Sequence, residues 1–175
     1  MRKNLSYIWT FPMNLLLWAL WIVPFWALWG ENLRFQHGAL VFNFKKGSWP
    51  NRTWYKKWGG TTLGDAIMYN HDRGLDGDRI QVHEEFHQNQ FRGVMLSSLI
   101  TSVLLFAVLF SSTSFYLNFL VCLVLWLTGY IRWGLGNLLY ALICLKGNAY
   151  RLSSHEQAAY AIDYHFQITG KKEME

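Results

Sequence analysis

Five consecutive residues, His83-Glu84-Glu85-Phe86-His87, combine side chains that can hold a divalent ion with one that can move a proton beside it. On a helix, residues four apart share a face, so the two imidazoles can address a single point. Zinc accepts such nitrogens at about 2.0–2.1 Å and, in hydrolytic sites, keeps one position for water. Glu84 follows the first histidine directly and can reach that water to take up its proton. The spacing therefore predicts Zn2+ ligands at His83 and His87, with Glu84 as general base. The competing reading is a solvent-facing helix whose histidines fall four apart by chance. The capped helix start and the strand-like segment just before it argue against that.

Such a site needs a third protein ligand. The segment Ser153-Ser154-His155-Glu156-Gln157-Ala158-Ala159-Tyr160-Ala161-Ile162-Asp163 reads as a capped helix with a face of small residues. Its alanines would let it approach the first helix closely. Glu156 is the preferred ligand, because two histidines and a glutamate are a known zinc set; His155 competes with it.

The elements that must position these groups are legible in outline. Asp78 with Gln81 three residues later forms a capping-box arrangement, predicting a helix from Asp78 through Gln90 that runs on into an apolar stretch. Before it, Ala39–Phe44 and Thr61–Tyr69 have strand character, the second following Gly59-Gly60. Asn70–Asp78 is dense in turn formers. Its three aspartates do not match the spacing of an EF-hand, so it reads as a loop.

Composition points to a membrane. Apolar residues make up 52% of the 175 and aromatics 18%, gathered mainly at 7–29 and 93–145. From Tyr7 to Gly30 there is no charge, and Arg2 and Lys3 precede the run, so it reads as an uncleaved anchor in which Pro12 and Pro24 make kinks or ends. Trp9, Trp26 and Trp29 would form interfacial belts. Gly93–Phe110 and Phe115–Ile131 are uncharged and flank Ser111-Ser112-Thr113-Ser114, which predicts a transmembrane hairpin with Arg92 and Arg132 at its open end. Trp133–Leu145 is too short to cross comfortably and is expected to be interfacial, re-entrant or packed on the soluble part. The net charge of +5 is dispersed among tryptophans (Lys45, Lys46, Arg52, Lys56, Lys57), which suits anionic lipid headgroups rather than nucleic acid, with a merely solvated face as the competing reading. Cys122 and Cys144 lie in apolar stretches and carry no redox signal.

A hairpin between residues 92 and 132 returns the chain to the side it left, so Glu156 can meet His83 and His87. The order of an H-E-x-x-H helix, a transmembrane hairpin and a helix with E-x-x-A (Glu156 to Ala159) resembles the gluzincin membrane peptidases, such as the HtpX-type, CAAX-tail and BlaR-type enzymes. The resemblance covers about residues 78–163. It implies Glu156 as third ligand, and a strand before the zinc helix that takes up substrate backbone, a role Thr61–Tyr69 is placed to fill. Those families often carry an aspartate soon after the alanine. Here Tyr160 occupies that place and the acid comes at Asp163. Tyr160, His155, Asp163 and His71 are candidates for oxyanion or supporting contacts, with Tyr69 and His165 as further oxyanion candidates.

Together these readings predict a mostly helical α+β membrane protein with a small zincin-like unit of strands and active-site helix. The expected organisation is an anchor over 1–30, strands and H-E-x-x-H helix over 31–92, a hairpin over 93–131, and an interfacial segment with the third-ligand helix over 132–175. The expected activity is zinc-dependent peptide hydrolysis at a bacterial-type inner membrane, with the site on the cytoplasmic face and peptide and lipid as partners. Nine Lys or Arg within 31–92 favour that face, although a spanning anchor would then leave Arg2 and Lys3 outside. The alternatives are a non-catalytic metal-binding scaffold, for which Glu84 would be idle, and a membrane di-iron oxygenase. The latter needs more histidines than the six present.

Overall fold

A computed structural model describes residues 6–53, 59–70, 79–110, 114–144 and 154–170. The chain is mostly helical with one small mixed sheet, an α+β arrangement. Two helical stretches, Tyr7–Trp29 and Arg79–Leu109, are long and apolar enough to cross a membrane, and a bent pair, Phe115–Leu127 with Gly129–Leu135, would make a third.

The first stretch consists of α1 (Tyr7–Leu17), a π turn (Trp18–Ile22) and α2 (Val23–Trp29). Pro24 has no N–H to offer the Leu20 carbonyl, and the widened turn lies just ahead of it. One flank is turned inward at Thr10, Asn14, Leu17, Ile22, Trp26 and Trp29. These are spaced three or four apart except for the five-residue step from Leu17 to Ile22. That step would swing an α-helix well off its face, and the π turn absorbs it.

α2 runs straight into β1 (Gly30–Gln36), which pairs antiparallel with β2 (Ala39–Phe44). His37 and Gly38 both have left-handed backbone (φ 51° and 75°), as a two-residue hairpin loop matching strand twist requires. After the short α3 (Trp49–Arg52) come β3 (Gly60–Thr62) and β4 (Ala66–Tyr69), giving the strand order β1-β2-β4-β3 with β2 and β4 parallel. One sheet face, with Phe42, Phe44, Ala66 and Met68, packs under Ile22, Phe25, Trp26 and Trp29 of the N-terminal helix. The other face, with Val41, Ile67 and Tyr69, is met by Ile80.

α4 (Arg79–Leu109) is one unbroken helix of 31 residues, as the sequence suggested for the motif helix and the first hairpin arm together. α5 (Phe115–Leu127) returns along it; of the short link, 111–113 lie outside the described residues. The expected boundary at Ile131 is corrected. The helix breaks at Thr128, and α6 (Gly129–Cys144) sets off at 50° with Arg132 inside it. The cause is local. Gly129 presses so closely on Ser98 that a Cβ there would lie 2.0 Å from the serine Oγ. Arg132 turns back to donate to the Leu125 carbonyl at 2.5 Å, satisfying the end of α5. The last described helix is α7 (Ser154–Thr169), which packs on the first turns of α4.

A buried polar cluster ties these parts together. The fully buried Asp65 carboxylate accepts from Thr10 Oγ1 (3.0 Å), Asn14 Nδ2 (2.7 Å), Gln88 Nε2 (2.9 Å) and Arg92 Nε (2.6 Å). The Gly38 carbonyl accepts from Tyr7 Oη, from Gln88 Nε2 at 2.6 Å and from Arg92 Nη2 at 2.6 Å. One knot thus joins α1, two sheet loops and α4, with its charges paired and its donors used.

Candidate metal centre

The first three turns of α4 and the first turn of α7 bring His83, His87 and Glu156 together, the set that the sequence singled out. His83 Nε2 and His87 Nε2 are 3.1 Å apart, Glu156 Oε1 is 3.2 Å from His87 Nε2, and Glu156 Oε2 is 3.5 Å from His83 Nε2. Ligands at about 2.0–2.1 Å around a tetrahedral ion are separated by roughly 3.3 Å, and one donor atom from each of the three residues lies within 4.8 Å of the other two, near what a single ion requires. The chemistry of the set fits as well. His87 Nδ1 donates to Gln90 Oε1 at 2.9 Å, which leaves the lone pair of the neutral ring at Nε2, aimed at the cluster. The fit of α7 against α4 depends on Ala159, which is fully buried, and on Asp163, which pairs with Arg79 at 3.3 Å one turn before His83.

Glu84 is buried beside this cluster, near the N-terminal end of α4 and more than two turns ahead of Gly93. Burial raises its pKa, and the two histidines and the Thr62 hydroxyl only partly oppose that. It is therefore a stronger proton acceptor than an ordinary glutamate. In His87 burial pulls the pKa down, but the hydrogen bond to Glu156 and the neighbouring carboxylates leave it net raised. The site thus favours positive charge.

Thr62 sets the direction of the Glu84 carboxylate. Its hydroxyl lies 2.8 Å from Glu84 Oε2 and 2.9 Å from the Glu84 carbonyl. Gly60, two residues earlier on the same strand face, leaves the room: a Cβ there would lie 2.9 Å from Glu84 Cγ and 3.0 Å from Oε1. Gly60→Ala is expected to push the carboxylate aside and, on the peptidase reading proposed below, to lower turnover by about 10²-fold while metal content stays unchanged. Parallel zinc and rate measurements check this, and an alanine variant of full activity would mean that β3 does not position Glu84.

The expectation of a single strand over Thr61–Tyr69 is corrected. Gly64 and Asp65 turn the chain, with Leu63 and Ala66 exchanging hydrogen bonds of 2.9 and 3.2 Å across the turn. β4 is interior, so the sheet edge beside the cluster belongs to β3 rather than to β4. Alternation from the Leu63–Ala66 pair, with Asn70 N donating to the Gly59 carbonyl at 3.0 Å, points the backbone groups of Gly60 and Thr62 away from β4.

Of the remaining candidates, Tyr160 reaches the site, its ring 4.9 Å from that of His83. Tyr69 is core, packed with Val41, Ile67 and Ile80. His165 is nine residues beyond Glu156, half a turn away from its face. His155 belongs to the first turn of α7, but its side chain lies outside the described residues, as do His71 and Asp78 entirely. Sequence reasoning missed Gln90, which was findable three residues after His87 on the same helix face. It also missed Thr62 and Gly60, for which no local signal exists. Comparison with protein-family models, curated proteins and solved structures gives no match to this chain.

Proposed function

We propose that the protein is a membrane-embedded zinc metallopeptidase, with His83, His87 and Glu156 as ligands and Glu84 as general base. The observation that carries this is the cluster of His83, His87 and Glu156, with one donor atom from each within 4.8 Å of the others and the buried Glu84 carboxylate at its side. A structural metal site has no use for that carboxylate. Zinc would supply a lowered pKa for water and a Lewis-acid pull on the scissile carbonyl. The chain's own groups do the rest. The free edge of β3 lays an extended peptide beside the cluster by strand addition. Glu84 takes the proton of the attacking water as its oxygen bonds to the carbonyl carbon. It returns that proton to the amine nitrogen as the C–N bond breaks.

Membrane embedding is supported by the exposed apolar surface of the hairpin, including Val103, Leu104 and Val108 on α4 and Leu117, Leu120 and Val124 on α5. With Arg92 and Arg132 at the open end, the positive-inside rule puts the site on the cytoplasmic face.

The test is zinc content of the detergent-purified protein, together with hydrolysis of a quenched fluorescent peptide library. About one zinc per chain is expected in the wild type, with loss in His83→Ala, His87→Ala and Glu156→Ala. Hydrolysis should disappear with a chelator and return with zinc. Equal zinc in all four proteins, or none after reconstitution, would sink the reading.

A further inference from the structure

The N-terminal apolar helix is long enough to cross a bilayer, yet its contacts are those of a helix lying flat. Tyr7 stacks over the Arg92 guanidinium at 5.6 Å, and Trp9 Nε1 donates to the Arg92 carbonyl at 3.1 Å. Ten residues further on, Leu17 meets the same turn of α4. A Cβ on Gly64 would lie 2.8 Å from Leu17 Cδ1 and 3.5 Å from Phe91 Cζ. Residues 7 and 17 are about 15 Å apart along α1, whereas Phe91 and Arg92 are about 1.5 Å apart along α4. Only axes that cross steeply allow both contacts.

The crossing falls at the open end of the hairpin, where α4 turns apolar. The second arm meets α1 at the same level, through Trp126 Nε1 donating to the Trp9 carbonyl at 3.1 Å. The rest of the helix covers the sheet through Ile22, Phe25, Trp26 and Trp29. That sheet cannot lie in hydrocarbon, because open strand edges find no partners there and β1 exposes Asn32 and Arg34.

The opposite flank of the helix is bare and apolar, with Ile8, Phe11, Leu15, Leu20 and Leu28 each more than half exposed. Beside its far end stand the exposed Lys45 and Lys46 and the tilted ring pair Trp29–Trp49, groups suited to anionic headgroups and to the interface.

We propose that Tyr7–Trp29 lies in the plane of the membrane beneath the sheet, with this flank in the headgroup–acyl boundary of an anionic bilayer, and does not cross. This replaces the spanning anchor expected from composition, and it rests on the hairpin itself crossing the membrane. It also removes a conflict of charge. With the helix in plane, Arg2 and Lys3 share a side with the basic residues of 31–92 and with Arg132, as the positive-inside rule asks.

The test uses the full chain in sealed vesicles of one orientation, with Cys122→Ala and Cys144→Ala as background and single cysteines at Asn4, Lys46 or Ser112. A membrane-impermeant maleimide is expected to label Asn4→Cys and Lys46→Cys from one side and Ser112→Cys only from the other. Labelling of Asn4→Cys on the side of Ser112→Cys would overturn the in-plane helix alone. Labelling of Lys46→Cys and Ser112→Cys from the same side would mean that the hairpin does not cross, and both readings would fall. As an independent measure, nitroxides at Ile8→Cys, Leu20→Cys and Leu28→Cys should share one shallow depth, about 5–10 Å into the boundary. A position-20 label near the bilayer centre, with the other two shallow, would refute the proposal.

Discussion

Glu84→Gln is expected to retain about one zinc per chain and to lose peptide hydrolysis by about 10²–10⁴-fold, the contribution usual for a positioned general base. The amide keeps the shape of the carboxylate and can still meet the Thr62 hydroxyl, 2.8 Å from Oε2 in the wild type. The ligand triangle lies on other side chains and should be undisturbed. What disappears is the proton acceptor whose affinity burial has raised. Because the change removes chemistry rather than binding, the loss should fall on kcat, with KM little altered. Zinc analysis and steady-state kinetics on the same preparation decide it. A Gln variant within a few-fold of wild type would leave a metal-binding protein without this mechanism.

The second large effect concerns the knot around Asp65. Asp65→Ala should destabilise the fold by about 3–5 kcal/mol, because it strands a buried guanidinium. It also deprives Thr10, Asn14 and Gln88 of their common acceptor. Arg92→Met should cost a similar amount by stranding the carboxylate. Asp65→Ala combined with Arg92→Met is expected to cost clearly less than the two single changes added together, since neither charge is then left alone. Unfolding by graded denaturing detergent, followed by circular dichroism, gives all three values. Strict additivity would show that the two groups, 2.6 Å apart, are not energetically coupled.

How much of this could be read from residues alone follows from the range of each interaction. His83, Glu84 and His87 were legible because their relation is set by one turn of helix, and Glu156 because its small-residue helix announces close packing. The strand Ala39–Phe44 was equally plain. β1 escaped notice because Glu31, Asn32 and Arg34 interrupt any apolar alternation at an exposed edge. The Gly64-Asp65 turn was hidden inside a β-prone run, although the glycine was a turn signal in itself. The break at Thr128 carries no charge and is set by the approach of Gly129 to Ser98 on another helix. The Asp65 knot draws on Thr10, Asn14, Gln88 and Arg92, up to 55 residues away in sequence. Nothing local marks such a partnership.

Because α4 runs without a break from His83 to Leu109, the proposed catalytic centre and the proposed membrane segment share one rigid rod. The ligands His83 and His87 stand six to ten residues before Gly93, which at helical rise is about 9–15 Å above the point where the apolar half begins. A stiff helix of this kind acts as a gauge. On the peptidase reading proposed above, it would select, among substrates anchored in the same bilayer, peptide bonds by their height above the surface, about three to five extended residues from the anchor. Tethered peptides with spacers of graded length should therefore show a sharp optimum in cleavage, whereas cleavage indifferent to spacer length would show that the height of the site imposes no selection.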